Sequence, residues 1–135
     1  MRFRSRVRIR FGDEDHAGIV YYPRFFDFFH QVFEDFFEAQ GLPYRQVLDV
    51  DRVGWPAVHA SCDWRRPVRF GDVLVVDMTT ARLGTKSATF AYRGWLEGGS
   101  EDVPHVEASI TVACIDMDTF QGRPIPDRYR ALFSD

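Results

Sequence analysis

Residues 23–40 read PRFFDFFHQVFEDFFEAQ, and seven of these eighteen positions are phenylalanine. On a helical wheel of about 100° per residue, Asp27, Gln31, Glu34 and Glu38 form one narrow polar stripe. Phe25, Phe29, Val32, Phe33 and Phe36 lie opposite, with Phe26, Phe28 and Phe37 on the flanks. A helix with so broad an aromatic face is stable only where something wraps it, most simply a sheet. Pro23 suits the first helical position, where a missing N–H costs nothing. Gly41 suits the left-handed position that ends the helix.

The rest of the chain supplies the strands. Residues 2–11 alternate, with Arg2, Arg4, Arg6, Arg8 and Arg10 on one side and Phe3, Val7, Ile9 and Phe11, with Ser5, on the other. That period of two predicts a strand with one buried face. The arginine row is read as a solvated sheet face or a charge-protected edge rather than a polyanion site. Residues 42–52 form a connector with a helical turn at 44–48. Residues 55–70 are extended, most clearly at 57–64, and Gly71-Asp72 is a turn. Strands follow at 73–83 and 87–96, joined by a turn at 84–86. Gly98-Gly99-Ser100 is a loop tip. One long strand is expected over 103–117, with Val106, Ala108, Ile110 and Val112 on one face. Residues 123–126 are extended, and 127–133 form a short last helix. Short turns between strands imply antiparallel pairing. The fold class is therefore α+β, a single domain over residues 1–135.

Composition excludes several functions. A net charge of −3 argues against a dedicated nucleic-acid binder. Lys86 is the only lysine among 17 cations, and the arginines are not confined to one patch. No apolar run approaches the roughly 20 residues of a membrane span, and the N-terminal residues lack the apolar core of a secretory signal. Cys62 and Cys114 lie far apart in strand-like runs, as buried free thiols of a cytoplasmic protein do. Four histidines and two cysteines make no metal-binding spacing, so no metal is expected. Neither a G-x-G-x-x-G nor a phosphate-binding loop is present, and no G-x-S-x-G elbow marks a serine hydrolase.

Chemistry concentrates just before the aromatic helix, where Asp13, Glu14 and Asp15 precede His16 and Gly18. A carboxylate there stands beside unpaired helix-start N–H groups, which point at whatever binds next to them. Asp15 acting only as a loop cap is the other reading of these residues. Asp13 and Glu14 are read as structural or solvent-facing.

The run Asp15-x-x-Gly18-Ile19-Val20-x-Tyr22-Pro23, followed by the aromatic helix, resembles the 4-hydroxybenzoyl-CoA thioesterase family of hotdog-fold proteins. The resemblance extends more loosely through Arg66-Pro67, Gly71-Asp72 and Thr85-Lys86-Ser87. It implies a hotdog fold, a long central helix wrapped by a five-stranded antiparallel sheet. It further implies an acyl-CoA thioesterase assembled as a dimer or tetramer, with sheets continuing across the dimer and sites between subunits. Carried over by position, Asp15 is the catalytic nucleophile or general base, next to Gly18, with backbone N–H near Tyr22 as oxyanion donor. Lys86, Ser87 and Arg123 bind the coenzyme A phosphates, with Arg82 a weaker neighbour, and His30 approaches the acyl group. Read from its helix position alone, His30 is a border histidine. His16 has no required role, and His59 and His105 have no assigned partner. Coenzyme A enters as part of the substrate, so no separate cofactor is expected. An aromatic or medium-chain acyl group fits the many aromatics. The alternatives are a thioesterase for an acyl carrier protein, and a non-catalytic acyl-CoA binding module on the same scaffold. A hotdog dehydratase fits less well, because its histidine motif is absent.

Overall fold

The computed structural model describes residues 1–134. Strand β1 (Arg2–Arg8) leads into helix α1 (Arg24–Ala39) and the short helix α2 (Tyr44–Asp49). Strands β2 (Val53–Gly54), β3 (Ala57–Trp64), β4 (Val73–Leu83), β5 (Ser87–Leu96), β6 (Val106–Ala113) and β7 (Ile115–Asp116) follow, and helix α3 (Asp127–Phe133) comes last. Five strands form one antiparallel sheet in the order β1-β4-β5-β6-β3, and β2 pairs with β7 in a small second sheet. This is the hotdog arrangement, α1 wrapped by a five-stranded antiparallel sheet.

The aromatic face of α1 makes the core. Phe25, Phe28, Phe29, Val32, Phe33, Phe36 and Phe37 are all buried, whereas Asp27, Gln31, Glu34 and Glu38 face solvent. Each buried ring contributes roughly 1.5–3 kcal/mol through its removal from water. Phe29 packs on Tyr92 with centroids 5.0 Å apart, and Phe33 packs on Phe90 at 5.5 Å, so the helix lies across β5. From α3, Phe133 closes one end against Phe36, Phe37 and Phe90. Pro23 is the residue before the first helical turn rather than within it. Gly41 takes the left-handed conformation, with φ of +72°, and ends α1.

Three further expectations change. Strand β1 stops at Arg8, and the chain turns through a short 3₁₀ helix at Phe11–Asp13. The Asp13 carboxylate accepts the Arg10 N–H at 2.8 Å, which fixes that turn. Phe11 is consequently 80 % exposed instead of buried. The expected strand over 103–117 is two strands with a break at Cys114. There the Cys114 N–H donates to Lys86 O, and the Arg123 N–H donates to Cys114 O. The period of two runs on through the break, so alternation alone cannot reveal the change of partner. Finally, β3 does not pair with its successor β4 but lies beyond β6 at the far edge. Cys62 is half-buried and Cys114 buried, and both are free.

The two sheet edges differ. On β1, Arg2 and Arg4 bind the buried Asp77 of β4, and Arg6 binds Glu97. On β3, Val58 is 62 % exposed and Trp64 43 % exposed. Among the described residues, no helix is long and apolar enough to cross a membrane.

Candidate active site

The segment before α1 is held from both sides. The Asp15 N–H donates to Ile19 O at 2.9 Å, and the Tyr21 N–H donates to Asp13 O at 2.9 Å. The segment docks on residues 68–70: the Val20 N–H donates to Val68 O at 2.8 Å, and the Glu14 carboxylate accepts the Phe70 N–H at 3.0 Å. Asp13 and Glu14 thus hold the loop. The Arg66-Pro67 stretch runs into the same docking segment.

Between these anchors the chain makes a tight turn over Asp15–Gly18. The Gly18 N–H donates to Asp15 O at 3.1 Å, and Gly18 has φ of +78°, a conformation natural to glycine. The Asp15 Oδ1 accepts the Ala17 N–H at 2.7 Å. One carboxylate oxygen is thereby pinned, and Asp15 remains solvent-exposed with its other oxygen open. His16 is exposed beside it.

At the start of α1, the N–H groups of Arg24, Phe25 and Phe26 close back on the carbonyls of Tyr21, Tyr22 and Pro23. The Tyr22 N–H has no hydrogen-bond partner among the described residues. The free donor at the helix start therefore sits at Tyr22.

The principal cavity, about 620 Å³, opens between α1, α2 and the β3 side of the sheet. Phe26, His30 and Phe33 line it from α1, Tyr44 and Leu48 from α2, Tyr92 and Ile110 from β5 and β6, and Trp55 from the link between β2 and β3. Its volume lies within the range of small-molecule sites. Asp15 does not line it. From the helix start a row of edge-to-face rings leads to the cavity wall, Tyr22 packing on Trp64 at 5.6 Å and Trp64 on Phe26 at 6.1 Å. His30 is at the cavity wall, edge-on to Tyr44 at 5.7 Å, with Nε2 4.0 Å from the Glu34 carboxylate. Burial, and after it the Glu34 charge, pushes the Tyr44 phenol up to about 12. Burial raises Tyr92 further. Both remain neutral hydroxyls across the physiological range.

Lys86 and Arg123 come together at a different place. Both segments bond to Cys114, and a Cβ on Gly122 would lie 4.0 Å from Lys86 Cδ. Ser87 begins β5 beside them, and its carbonyl accepts the Gly84 N–H at 2.8 Å. Among the described residues, no hydrogen bond or ion pair joins this group to the Asp15 loop. Arg130 of α3 was not visible as a participant in sequence. Its Nη2 donates to Gly84 O at 2.7 Å and to Thr85 O at 3.3 Å, clamping the turn that carries Lys86. Nor was Trp55, or Tyr44 and Tyr92 as cavity walls. Such contacts depend on elements distant in sequence, and no motif announces them. His105 Nδ1 lies 3.2 Å from Pro67 O, and His59 is exposed on β3. Among the described residues, no three His, Cys, Asp or Glu side chains gather as a metal site.

A long aromatic helix wrapped by an antiparallel five-stranded sheet is the hotdog fold, and the relatives of this chain make it a thioester hydrolase on that fold. The chain matches the Thioesterase-like superfamily over residues 9–133 and belongs to it. It is 33 % identical over 121 residues to a 1,4-dihydroxy-2-naphthoyl-CoA hydrolase of Synechococcus elongatus, covering 89 % of this chain and 86 % of the relative. The relative of the same description from Nostoc punctiforme is 28 % identical over 127 residues, covering 94 % and 83 %. The fold is shared with the solved structure of a 1,4-dihydroxy-2-naphthoyl-CoA thioesterase from Synechocystis. That match has a TM-score of 0.90 and 23 % identity, covering 100 % of this chain and 97 % of that one.

Proposed function

We propose that the protein is an acyl-CoA thioesterase that releases free coenzyme A and an aromatic carboxylic acid, with Asp15 as the catalytic carboxylate. The observation that carries this reading is the Asp15 turn. One carboxylate oxygen is pinned by the Ala17 N–H and the other is free, on a loop locked just before an unpartnered N–H at Tyr22. A carboxylate so held can attack the thioester carbonyl. The C–S bond then breaks, coenzyme A leaves as thiolate, and water cleaves the resulting anhydride. It can equally take a proton from a water that attacks. In both routes the carbonyl oxygen gains negative charge, and the Tyr22 N–H supplies a donor for it.

The cavity accounts for the acyl group. Its lining contains no Lys, Arg, Asp or Glu, so it suits an uncharged acyl moiety, and aromatic rings such as Phe26, Phe33, Tyr44 and Tyr92 share its walls with aliphatic side chains. The relatives named as hydrolases of an aromatic acyl-CoA support an aromatic group over a medium-length chain. Lys86, Ser87 and Arg123 then take the phosphates of coenzyme A. Within one chain they are separate from Asp15, which fits a site completed between two copies. The open β3 edge, with Val58 and Trp64 exposed, is the natural surface for that pairing, whereas charges guard β1. We place this homo-oligomer, a dimer or tetramer, in the cytoplasm.

The test is a thiol-release assay with benzoyl-, 1,4-dihydroxy-2-naphthoyl-, octanoyl- and palmitoyl-CoA, alongside benzoyl thioesters of an acyl carrier protein. The reading predicts turnover of the aromatic coenzyme A esters above all others. Turnover only of carrier-protein thioesters, or binding without turnover, would contradict it.

A further inference from the structure

The rim of the cavity carries a side chain that the fold alone does not call for. Phe120 lines the cavity, yet it is 69 % exposed and its backbone is left-handed, with φ of +56°. A bulky residue seldom adopts that conformation, and strain of this kind beside a cavity points to function. Among the described residues Arg52 is the other non-glycine residue with positive φ, also +56°, and it braces the Phe120 turn. Its Nη2 lies 2.9 Å from the Asp118 carboxylate and donates to Met117 O at 3.4 Å, while Nη1 donates to Leu48 O at 3.3 Å. Within the turn, the Asp116 carboxylate accepts the N–H groups of Asp118 and Thr119, and the Phe120 N–H donates to Asp116 O at 2.7 Å. The ring is therefore held out at the rim by a braced turn.

Its neighbours indicate what covers it. Arg123 follows three residues later, so the two Cα atoms lie within about 11 Å of each other. Lys86 is next to the same segment, 4.0 Å from where a Cβ on Gly122 would be. Neither cation makes an ion pair among the described residues. Phe120 thus stands between two open cations and an apolar cavity. In coenzyme A the unit next to the pyrophosphate, on the side of the thioester, is the pantoyl group, and its paired methyl groups are the most apolar part of the arm.

We propose that the Phe120 ring is the seat of the pantoyl group, packing on its paired methyl groups and so positioning the arm that carries the thioester. This rests on the thioesterase reading for the identity of the ligand.

The experiment compares benzoyl thioesters of coenzyme A, of pantetheine, which lacks the nucleotide, and of N-acetylcysteamine, which stops short of the pantoyl group. Phe120→Gly removes the ring and suits the left-handed backbone. Phe120→Asn, which also tolerates it, takes its place should glycine loosen the turn. Phe120→Tyr keeps the ring. The ratio of kcat/KM for the pantetheine ester to that for the N-acetylcysteamine ester should fall roughly tenfold without the ring, the scale of two methyl groups returned to water. It should hold in Phe120→Tyr, and the ratio of the coenzyme A to the pantetheine ester should hold in every variant. An equal loss on all three esters, or a loss on the coenzyme A ester alone, overturns the proposal, since the ring would then serve the acyl group or fold, or the adenine. Saturation-transfer NMR with free coenzyme A needs no turnover. Irradiation of the protein's aromatic protons should saturate the paired methyl signals, relative to adenine, at least twofold less without the ring. An unchanged pattern overturns the proposal. If the wild type hydrolyses none of the esters, the thioesterase reading fails on its own and the NMR comparison still decides the role of Phe120.

Discussion

Arg130 Nη2 donates to the carbonyl oxygen of Gly84 at 2.7 Å, so the last helix holds the turn on which Lys86 stands. The basic group is thus built from three parts of the chain, around β5, β7 and α3. Lys86→Ala and Arg123→Ala should each raise KM for full coenzyme A esters about tenfold, with a smaller effect on kcat. That is the scale of one charge-assisted contact, reduced where salt screens it. Arg130→Met should act in the same direction but less, since it positions the turn without touching substrate. Steady-state kinetics with truncated thioesters lacking the nucleotide checks all three. Equal losses on full and truncated substrates would show an effect through the fold instead.

Gly18 has φ of +78°, and a Cβ there would meet nothing within 4 Å. Substitution cost is therefore conformational rather than steric, about 1–2 kcal/mol for a side chain forced left-handed. Gly18→Ala should shift the Asp15 turn and lower kcat. Gly18→Asn, which tolerates this conformation better, should recover part of the loss. Equal activity of wild type and Gly18→Ala would remove the turn from the account.

Asp77 carries the pH dependence of the outer sheet face. Burial pushes its carboxyl up, but hydrogen bonds from Arg4 and Arg2 outweigh this and hold it below the usual carboxylate value. The unfolded chain therefore protonates first as pH falls. The contribution of Asp77 is complete above the ordinary carboxylate pKa of about 3.9 and is lost as pH drops through the lower folded value. Melting curves between neutral pH and pH 3 should show a steeper acid decline in the wild type than in Asp77→Asn. The variant should also be less stable at neutral pH. Parallel curves would remove Asp77 from this role.

A cavity lining without lysine or arginine predicts selection against anionic acyl groups. An acyl group ending in a carboxylate must lose its hydration with no lysine or arginine there to meet it. Succinyl- and glutaryl-CoA should be hydrolysed roughly a hundredfold less efficiently than benzoyl-CoA, a gap of under 3 kcal/mol within that desolvation cost. Comparable kcat/KM values would mean that the acyl group lies elsewhere.

Local pattern made most of the fold legible. The spacing of phenylalanine along 25–37 marked the buried face of α1, and the breaks at Gly71-Asp72 and 84–86 bounded β4 and β5. What pattern could not carry was partnership. Alternation through 103–117 is the same whether the chain pairs with β5 or β2, so the break at Cys114 stayed hidden. The same is true of β3 lying beside β6. The Asp15 segment stood out through its resemblance to a family motif, since aspartate and glycine at that spacing carry almost no meaning by themselves. The cavity was not, because Tyr44, Trp55 and Tyr92 look like ordinary core residues until the fold brings them together. Arg130 was hidden for the same reason, its partners lying 45 and 46 positions away.

The most direct test is kcat for Asp15→Asn on the best aromatic coenzyme A ester. Asparagine keeps the side-chain oxygen that accepts the Ala17 N–H and removes the charge and basicity. The account predicts that kcat falls by roughly 10²–10⁴, with KM and melting temperature close to wild type. Single-turnover hydrolysis by the wild type in ¹⁸O-water then separates the routes, since only direct attack can leave label in the Asp15 side chain. Near wild-type kcat in Asp15→Asn would contradict the central claim, and Asp15 would then be a loop cap, a role asparagine fills equally well.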